Sequence, residues 1–258
     1  MWLAERILLL CSRPAEQPDF VARHEQWNDA NALELLRRQF PNFDRLIAGK
    51  AVLDFGCGHG WQSLAMARAG ARHVLGVDTN DKSLQTAREL AARSGLPTDR
   101  LQFAKALGAE HAGAFDVVIS QNSFEHFPDP AGTLAQVTSA LRPQGRLLIT
   151  FGPLWFAPYG SHLSFFTKLP WVNLLFSERT VMRVRRRFRS DGAERYEDVE
   201  GGLNRMTVAR FEDLVHTSRL RVEWKRYECV KGLNALGMIP GIRELFVNVV
   251  SCTLAKAA

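Results

Sequence analysis

Cysteine is scarce and scattered in this chain of 258 residues. Cys11, Cys57, Cys229 and Cys252 form no CxxC pair and fit no zinc spacing, so neither a disulfide framework nor a metal site is expected, and the pattern reads as reduced and intracellular. Long apolar runs are also missing, and nothing approaches the roughly 20 residues of a membrane span. The N-terminal run Ile7 to Cys11 is shorter than the about 7–15 residues of a signal-peptide core, and no small-residue cleavage site follows it. A general charge bias is absent as well. The net charge is +6, but the stretch Arg179 to Arg189 (RTVMRVRRRFR) holds six arginines and no acid, and the rest of the chain is balanced. A nucleic-acid binder spreads its basic footprint over a face, so the total charge does not point to that partner. Apolar residues at 46% and charged residues at 23% exclude wholesale disorder, collagen and coiled coil. A chain of this length buries enough surface to fold without a staple.

What is present is an alternation of two periods. Residues 1–48 read as a helical segment, with Leu33, Leu36 and Phe40 at helical spacing and Pro41 as the stop. From Lys50 short apolar runs alternate with helix-like stretches. The spacing predicts strands at Ala51–Phe55, His73–Val77, Leu101–Ala104, Phe115–Ser120 and Arg146–Phe151. Helices are predicted at Trp61–Ala69, Asp81–Ser94 and Pro130–Leu141, with a turn at Pro143–Gly145. Such alternation makes βαβ units and a parallel sheet, and these sheets take ligands at their carboxyl edge. The pattern predicts an α/β, Rossmann-like, doubly wound and mostly parallel seven-stranded sheet, with helices on both faces.

The rhythm breaks after Phe151. Residues 152–206 carry aromatic residues and then the arginines, and they read as a lid-like insertion after the fifth strand, too long for an ordinary loop. Residues 207–258 resume with a helix at Val208–Ser218, capped by Thr207, and strands at Leu220–Val230 and Phe246–Leu254 that complete the sheet. The core then runs over 49–151.

Chemistry is concentrated in Val52–Gly60, VLDFGCGHG. Glycines at 56, 58 and 60 give G-x-G-x-G, whereas the dinucleotide fingerprint needs glycine where Trp61 stands. That disfavours a nicotinamide or flavin dehydrogenase. Asp54 repels phosphate but suits an ammonium. Asp78, at the end of the second strand, suits the two hydroxyls of a ribose. An ammonium, a glycine turn and a ribose together describe S-adenosylmethionine (SAM).

The chain here resembles the class I SAM-dependent methyltransferases, over about residues 45–151. The resemblance rests on VLDFGCGHG, Asp78 in VDTN, FDVVISQNSFEHFPDP and LRPQGRLLI, in that order. The FEHFPDP block is similar to the small-molecule branch of the family. The resemblance implies a transferase whose cofactor contacts are Asp54, Gly56, Cys57, Gly58, Gly60, Asp78, Thr79 and Gln121. The acid that many members carry after the third strand is missing from Phe103–Leu107, which leaves adenine to backbone groups and apolar packing.

Transfer to oxygen often needs a base, and histidine titrates nearest neutral pH. His126 and His162 are the candidates for catalysis, and Asn122, Trp155, Tyr159 and Arg183 for acceptor binding. An aromatic wall beside guanidinium groups suits an amphipathic or anionic small molecule, such as a glycan, lipid-linked or natural-product precursor. Arg179–Arg189 equally suits peripheral docking of a cytoplasmic protein on the acidic inner face of a membrane. Two other readings stay open. One is a non-catalytic SAM-binding or interaction module. The other is a nucleic-acid or protein methyltransferase, although the Pro-Pro-aromatic motif of amine methylation is replaced by Ser120-Gln121-Asn122-Ser123-Phe124.

Overall fold

The computed structural model describes residues 2–13, 31–199 and 201–256. The first strand, β1 (Ala51–Phe55), is buried on both faces, which is why it reads as an unbroken apolar run. β2 (His73–Val77) and β3 (Leu101–Ala104) follow on one side of it, and β4 (Phe115–Gln121) and β5 (Leu141–Phe151) on the other. These five strands pair in parallel. β6 (Leu220–Cys229) and β7 (Val247–Lys256) close the edge, with β7 antiparallel to both β5 and β6. The order β3-β2-β1-β4-β5-β7-β6 is a seven-stranded Rossmann-like sheet. Its strand order reverses between β1 and β4, so the carboxyl ends of those two strands flank the natural crevice.

Alternate strand residues feed two cores. Val52, Val117, Ile119 and Leu148 point to one face. There they meet α2 (Glu34–Gln39), α3 (Phe43–Ile47) and α4 (Trp61–Arg68) through Leu36, Phe40, Phe43, Ile47 and Leu64. Leu53, Val118, Leu147 and Ile149 point to the other face. That face is covered by α6 (Pro130–Ala140) and α9 (Val208–Thr217), through Leu134, Val137, Phe211 and Val215. The helix α5 (Asp81–Arg93) links β2 to β3, with Asn80 capping its start. Thr207 caps α9, and Glu244 from the β6–β7 connection accepts the backbone N–H groups of Val208 and Ala209 at 3.0 and 2.8 Å.

A third cluster lies outside the sheet. Leu8 of α1 (Leu3–Leu10) packs with Leu163, Phe166, Val172 of α7 (Val172–Leu175), Val181 and Val184 of α8 (Glu178–Arg185), Tyr196 and Leu203. The segment between β5 and α9 therefore has apolar interior of its own, shared with the N-terminal helix. The β6–β7 connection ends in α10 (Arg243–Phe246).

Two expectations are corrected. The helix α6 stops at Ala140, because Leu141 turns to extended geometry and pairs with Phe115. The fifth strand consequently starts at Leu141 instead of Arg146, with a register shift between Phe115 and Val117. The turn predicted at 143–145 is absorbed as an irregularity of the strand, with Gln144 at φ +63°. The described part of the segment before β1 contains α1, α2 and α3, and 14–30 lie outside the described residues.

Gly60 is the tightest point of the first turn. Its φ is +81°, and a Cβ there would come within 2.6 Å of the Phe103 ring and 2.8 Å of Ala87. Gly58 also has positive φ, at +52°, but open space around it. We expect Gly60→Ala to lower unfolding stability by about 2–5 kcal/mol, through backbone strain plus overpacking. Gly58→Ala should cost only about 1–2 kcal/mol. Urea unfolding of both variants checks this, and equal losses would refute the packing role of Phe103.

Candidate functional site at the carboxyl edge of the sheet

The turn after β1 is tied to the end of β2. The backbone N–H groups of Gly56 and Cys57 both donate to the Val77 carbonyl, at 2.8 and 3.0 Å. Gly58 N–H donates to Asp78 Oδ2 at 2.8 Å, and Asn80 N–H to Asp78 Oδ1 at 2.8 Å. Asp78 is thus braced at the lip of the turn, half-buried, with Thr79 exposed beside it. Beneath them Asp54 is 2% exposed and accepts a 2.5 Å hydrogen bond from the Ser63 hydroxyl. Burial raises its pKa from 3.8 to about 6; Ser63 opposes the rise and the charge of Asp78 adds to it. An incoming cation would relieve both costs. Burial likewise pushes the Cys57 thiol up, so it is no nucleophile at neutral pH.

The end of β4 lies against this turn. A Cβ on Gly56 would come within 2.8 Å of Ser123, whose hydroxyl lies 2.9 Å from that of Ser120. Gln121 is buried, and its Oε1 accepts from the Gln62 amide of α4. Gln62 also donates to the Ala32 carbonyl at 3.2 Å. Gln62 escaped sequence reasoning because a polar residue in the first turn of a helix looks like surface. Asn122 is exposed, with φ +50°.

The turn Phe124–His126 follows. His126 Nδ1 lies 2.7 Å from the Gly202 carbonyl. A carbonyl only accepts, so Nδ1 carries a proton, and in the neutral ring the lone pair lies on Nε2. His162 stands edge-on to His126, with ring centroids 5.3 Å apart. Its Nε2 lies 3.4 Å from the Pro153 carbonyl. Burial, aided by the nearby His126, pulls its pKa down to about 4, which makes it a weak proton acceptor near neutral pH. Glu125 is buried, and Gly152 N–H donates to its Oε1 at 3.1 Å. Burial raises its pKa, against the opposing charge of His126.

The acceptor-side candidates divide. Tyr159 is exposed. Trp155 packs edge-on against Tyr196 at 4.9 Å and lies under the Arg205 guanidinium. Its rings therefore belong to the third cluster. Arg183 is committed to Glu5 of α1 at 2.9 Å. Several arginines of the Arg179–Arg189 run have partners in the fold. Arg185 is buried in an ion pair with Asp191 at 2.5 Å, Arg186 pairs with Glu194 at 2.9 Å, and Arg189 lies over the Phe165 ring at 4.6 Å. The compensating acids lie outside the arginine run, which is why the run looks bare in sequence.

Residues 46–152 match the model of a methyltransferase domain. Over those residues the chain is similar to methyltransferase domains. It is 37% identical over 145 residues to the ubiquinone biosynthesis O-methyltransferase of Aromatoleum aromaticum, over 53% of this chain and 62% of that protein. The chain spans only 60–62% of the length of the first such relatives. Among solved structures, the SAM-dependent methyltransferase from Mesorhizobium loti aligns with a TM-score of 0.56 at 19% identity, over 88% of this chain and 99% of that one. A cyclase aligns with a TM-score of 0.57 at 14% identity, over 99% and 93%. These likenesses establish the fold, and the cyclase is a reminder that this fold is not bound to one reaction. Among the described residues no helix is long and apolar enough to cross a membrane.

The sheet edge holds its buried acid at a cost to stability. The native Asp54 titrates at about 6, above its ordinary 3.8. The native state therefore binds this proton more tightly than the unfolded state does. That contribution is present in full below about pH 4 and is lost as pH rises through 6. An amide in place of the carboxyl would keep an acceptor for Ser63 without the charge. Asp54→Asn should stabilise the domain by up to about 3 kcal/mol at pH 8, with the gain shrinking at pH 5. Denaturant midpoints at the two pH values measure it; no gain at pH 8 would refute the buried-charge account.

Proposed function

We propose that this protein is a SAM-dependent methyltransferase that modifies a hydroxyl of a small, amphipathic molecule, with His126 as base. One observation carries the reading. A glycine turn bearing two acids and a histidine with a free Nε2 meet at the same sheet edge, joined by the contact of Gly56 with Ser123.

The residues fit the cofactor. Asp54 and Asp78 form a site that gains from a positive charge, which suits the methionyl ammonium. Asp78, with Thr79, suits the ribose hydroxyls. Gly56 to Gly60, the Cys57 backbone and Gln121 would line the methionyl part. SAM, when bound, supplies an electrophilic methyl group. His126 Nε2 takes the proton of the acceptor hydroxyl as that oxygen gains the methyl, and the Gly202 carbonyl stabilises the imidazolium. His162, held neutral, borders the ring without competing for the proton. Asn122 and Tyr159 are open to contact the acceptor.

The amphipathic acceptor is supported by the rim. Residues 152–177 and 229–243 contain no acid, and their only lysines and arginines are Lys168, Lys231 and Arg243. Leu174, Leu175, Met238, Ile239 and Ile242 are exposed there. The Trp171–Phe246 contact, at 6.4 Å, draws the two segments together. This rim, more than the largely paired Arg179–Arg189 run, suits an apolar acceptor with an anionic group, and the acidic face of a membrane. The relatives named for ubiquinone biosynthesis are O-methyltransferases, and a quinone precursor has this character.

Calorimetric titration should give micromolar binding of SAM and of S-adenosylhomocysteine, and none of NAD. Asp78→Ala should lose that binding with an unchanged circular dichroism spectrum. Unchanged affinity would sink the ribose assignment. With a panel of phenols as acceptors, with and without an isoprenoid tail, His126→Ala should lower turnover about 10²–10⁴-fold at unaltered SAM affinity. His162→Ala should cost far less. Wild-type turnover in His126→Ala would remove the base.

A further inference from the structure

The segment that returns from the insertion to the core is bonded to each residue from Phe124 to Phe127. The side-chain amide of Asn204 donates to the carbonyls of Phe124 and Phe127, at 2.8 and 2.9 Å. Its backbone N–H donates to the Glu125 carbonyl at 3.0 Å. Gly202, two residues earlier, presents its carbonyl to His126 Nδ1. Asn204 and Gly202 thus hold the whole turn, and the insertion supplies both.

The strap is fixed from behind. Gly202 N–H donates to the Val199 carbonyl at 2.6 Å. The Arg205 guanidinium donates to Glu178 of α8 at 3.0 Å, and Arg210 donates to the Asn204 carbonyl. Gly201 and Gly202 sit at φ +81° and +63°. A Cβ on Gly201 would lie 3.2 Å from His126 Nδ1, so the strap passes directly against the ring.

The chemistry of the contact selects asparagine. Both partners of the side-chain amide are carbonyls, so the position requires an NH2 group, while Asn204 Oδ1 is buried without a partner. Aspartate has the same shape and, when ionised, nothing to donate. Asn204 does not bond the imidazole itself. It holds the backbone on both sides of His126, and this keeps Nδ1 in reach of Gly202.

We propose that Asn204 is a positioning residue, which through the Gly202 contact keeps His126 in the tautomer whose Nε2 faces the acceptor. The catalytic side of this proposal rests on the reading of His126 as base. Its consequence is a physical link between the insertion and proton transfer: a shift of the strap would change the tautomer.

The experiment is the long-range 1H–15N histidine spectrum of the full chain at pH 8, assigned with His126→Gln, beside methylation of 3,4-dihydroxybenzoate as a catechol probe. In the wild type His126 should appear as the pure Nδ1–H tautomer. Asn204→Asp should show a mixture with the Nε2–H form, and should lower kcat at least 10-fold while the SAM dissociation constant stays within twofold. Gly201→Ala, which keeps Asn204 and places a methyl against Nδ1, should reproduce the spectral change if Asn204→Asp fails to fold. A pure Nδ1–H signal in folded Asn204→Asp, or in Gly201→Ala, overturns the proposal whatever the turnover does. A tautomer mixture with wild-type kcat supports the hold of the strap on the ring and overturns the base reading instead.

Discussion

Everything at the sheet edge depends on one backbone tie. The Val77 carbonyl accepts from both Gly56 and Cys57, so the turn leaving β1 cannot move apart from the end of β2. That tie brings Gly58 N–H onto Asp78 and sets Asp78 above Asp54. It also forces the chain so close to β3 that Phe103 fills the space where side chains on Gly60 and Gly76 would lie. The glycines follow from this crowding as much as from ligand approach. Gly60 makes the close helix–strand contact that a dinucleotide fold assigns to its third glycine.

The same crowding explains why the site is electrostatically unsatisfied. Asp54 lies under the turn with one hydroxyl for company and a second carboxylate nearby. A protein selected for stability alone would place a neutral residue there. Retained charge in a buried, like-charged setting is the usual mark of a group whose partner arrives from outside. An ammonium meets that need and a phosphate worsens it, which favours SAM over a dinucleotide independently of glycine spacing.

How much was legible in sequence follows from how far each interaction reaches. β1 and β2 are readable to the residue, since doubly buried parallel strands are short apolar runs ended by glycine or a polar residue. Asp54, the glycines and Asp78 are readable because they lie at the ends of such runs. The start of β5 is not, because the pairing of Leu141 with Phe115 overrides a local Pro-Gln-Gly turn signal. The arginine run misleads for the same reason. Its acids are Asp191 and Glu194 just beyond it, and Glu5 at the other end of the chain, so periodicity cannot pair them. Gln62 and Asn204 are invisible until the helix and the strap are folded back, since each is an ordinary polar residue whose role comes from the carbonyls it meets.

The segment between β5 and α9 therefore does two things. Its apolar cluster, Leu163, Phe166, Val181 and Tyr196, closes on α1 and needs nothing from the sheet. Its returning strap is bonded to the turn bearing His126, and Glu178 of α8 holds that strap through Arg205. The cluster and the imidazole are connected through the Glu178–Arg205 ion pair, the main chain from Arg205 to Gly202, and the Gly202 carbonyl on His126. The exposed Tyr159, Leu174 and Leu175 have no hydrogen bond to those residues. Under the proposed function they can vary to suit an acceptor, while the hydrogen bonds of Asn204 and Gly202 keep the strap on the turn from Phe124 to Phe127.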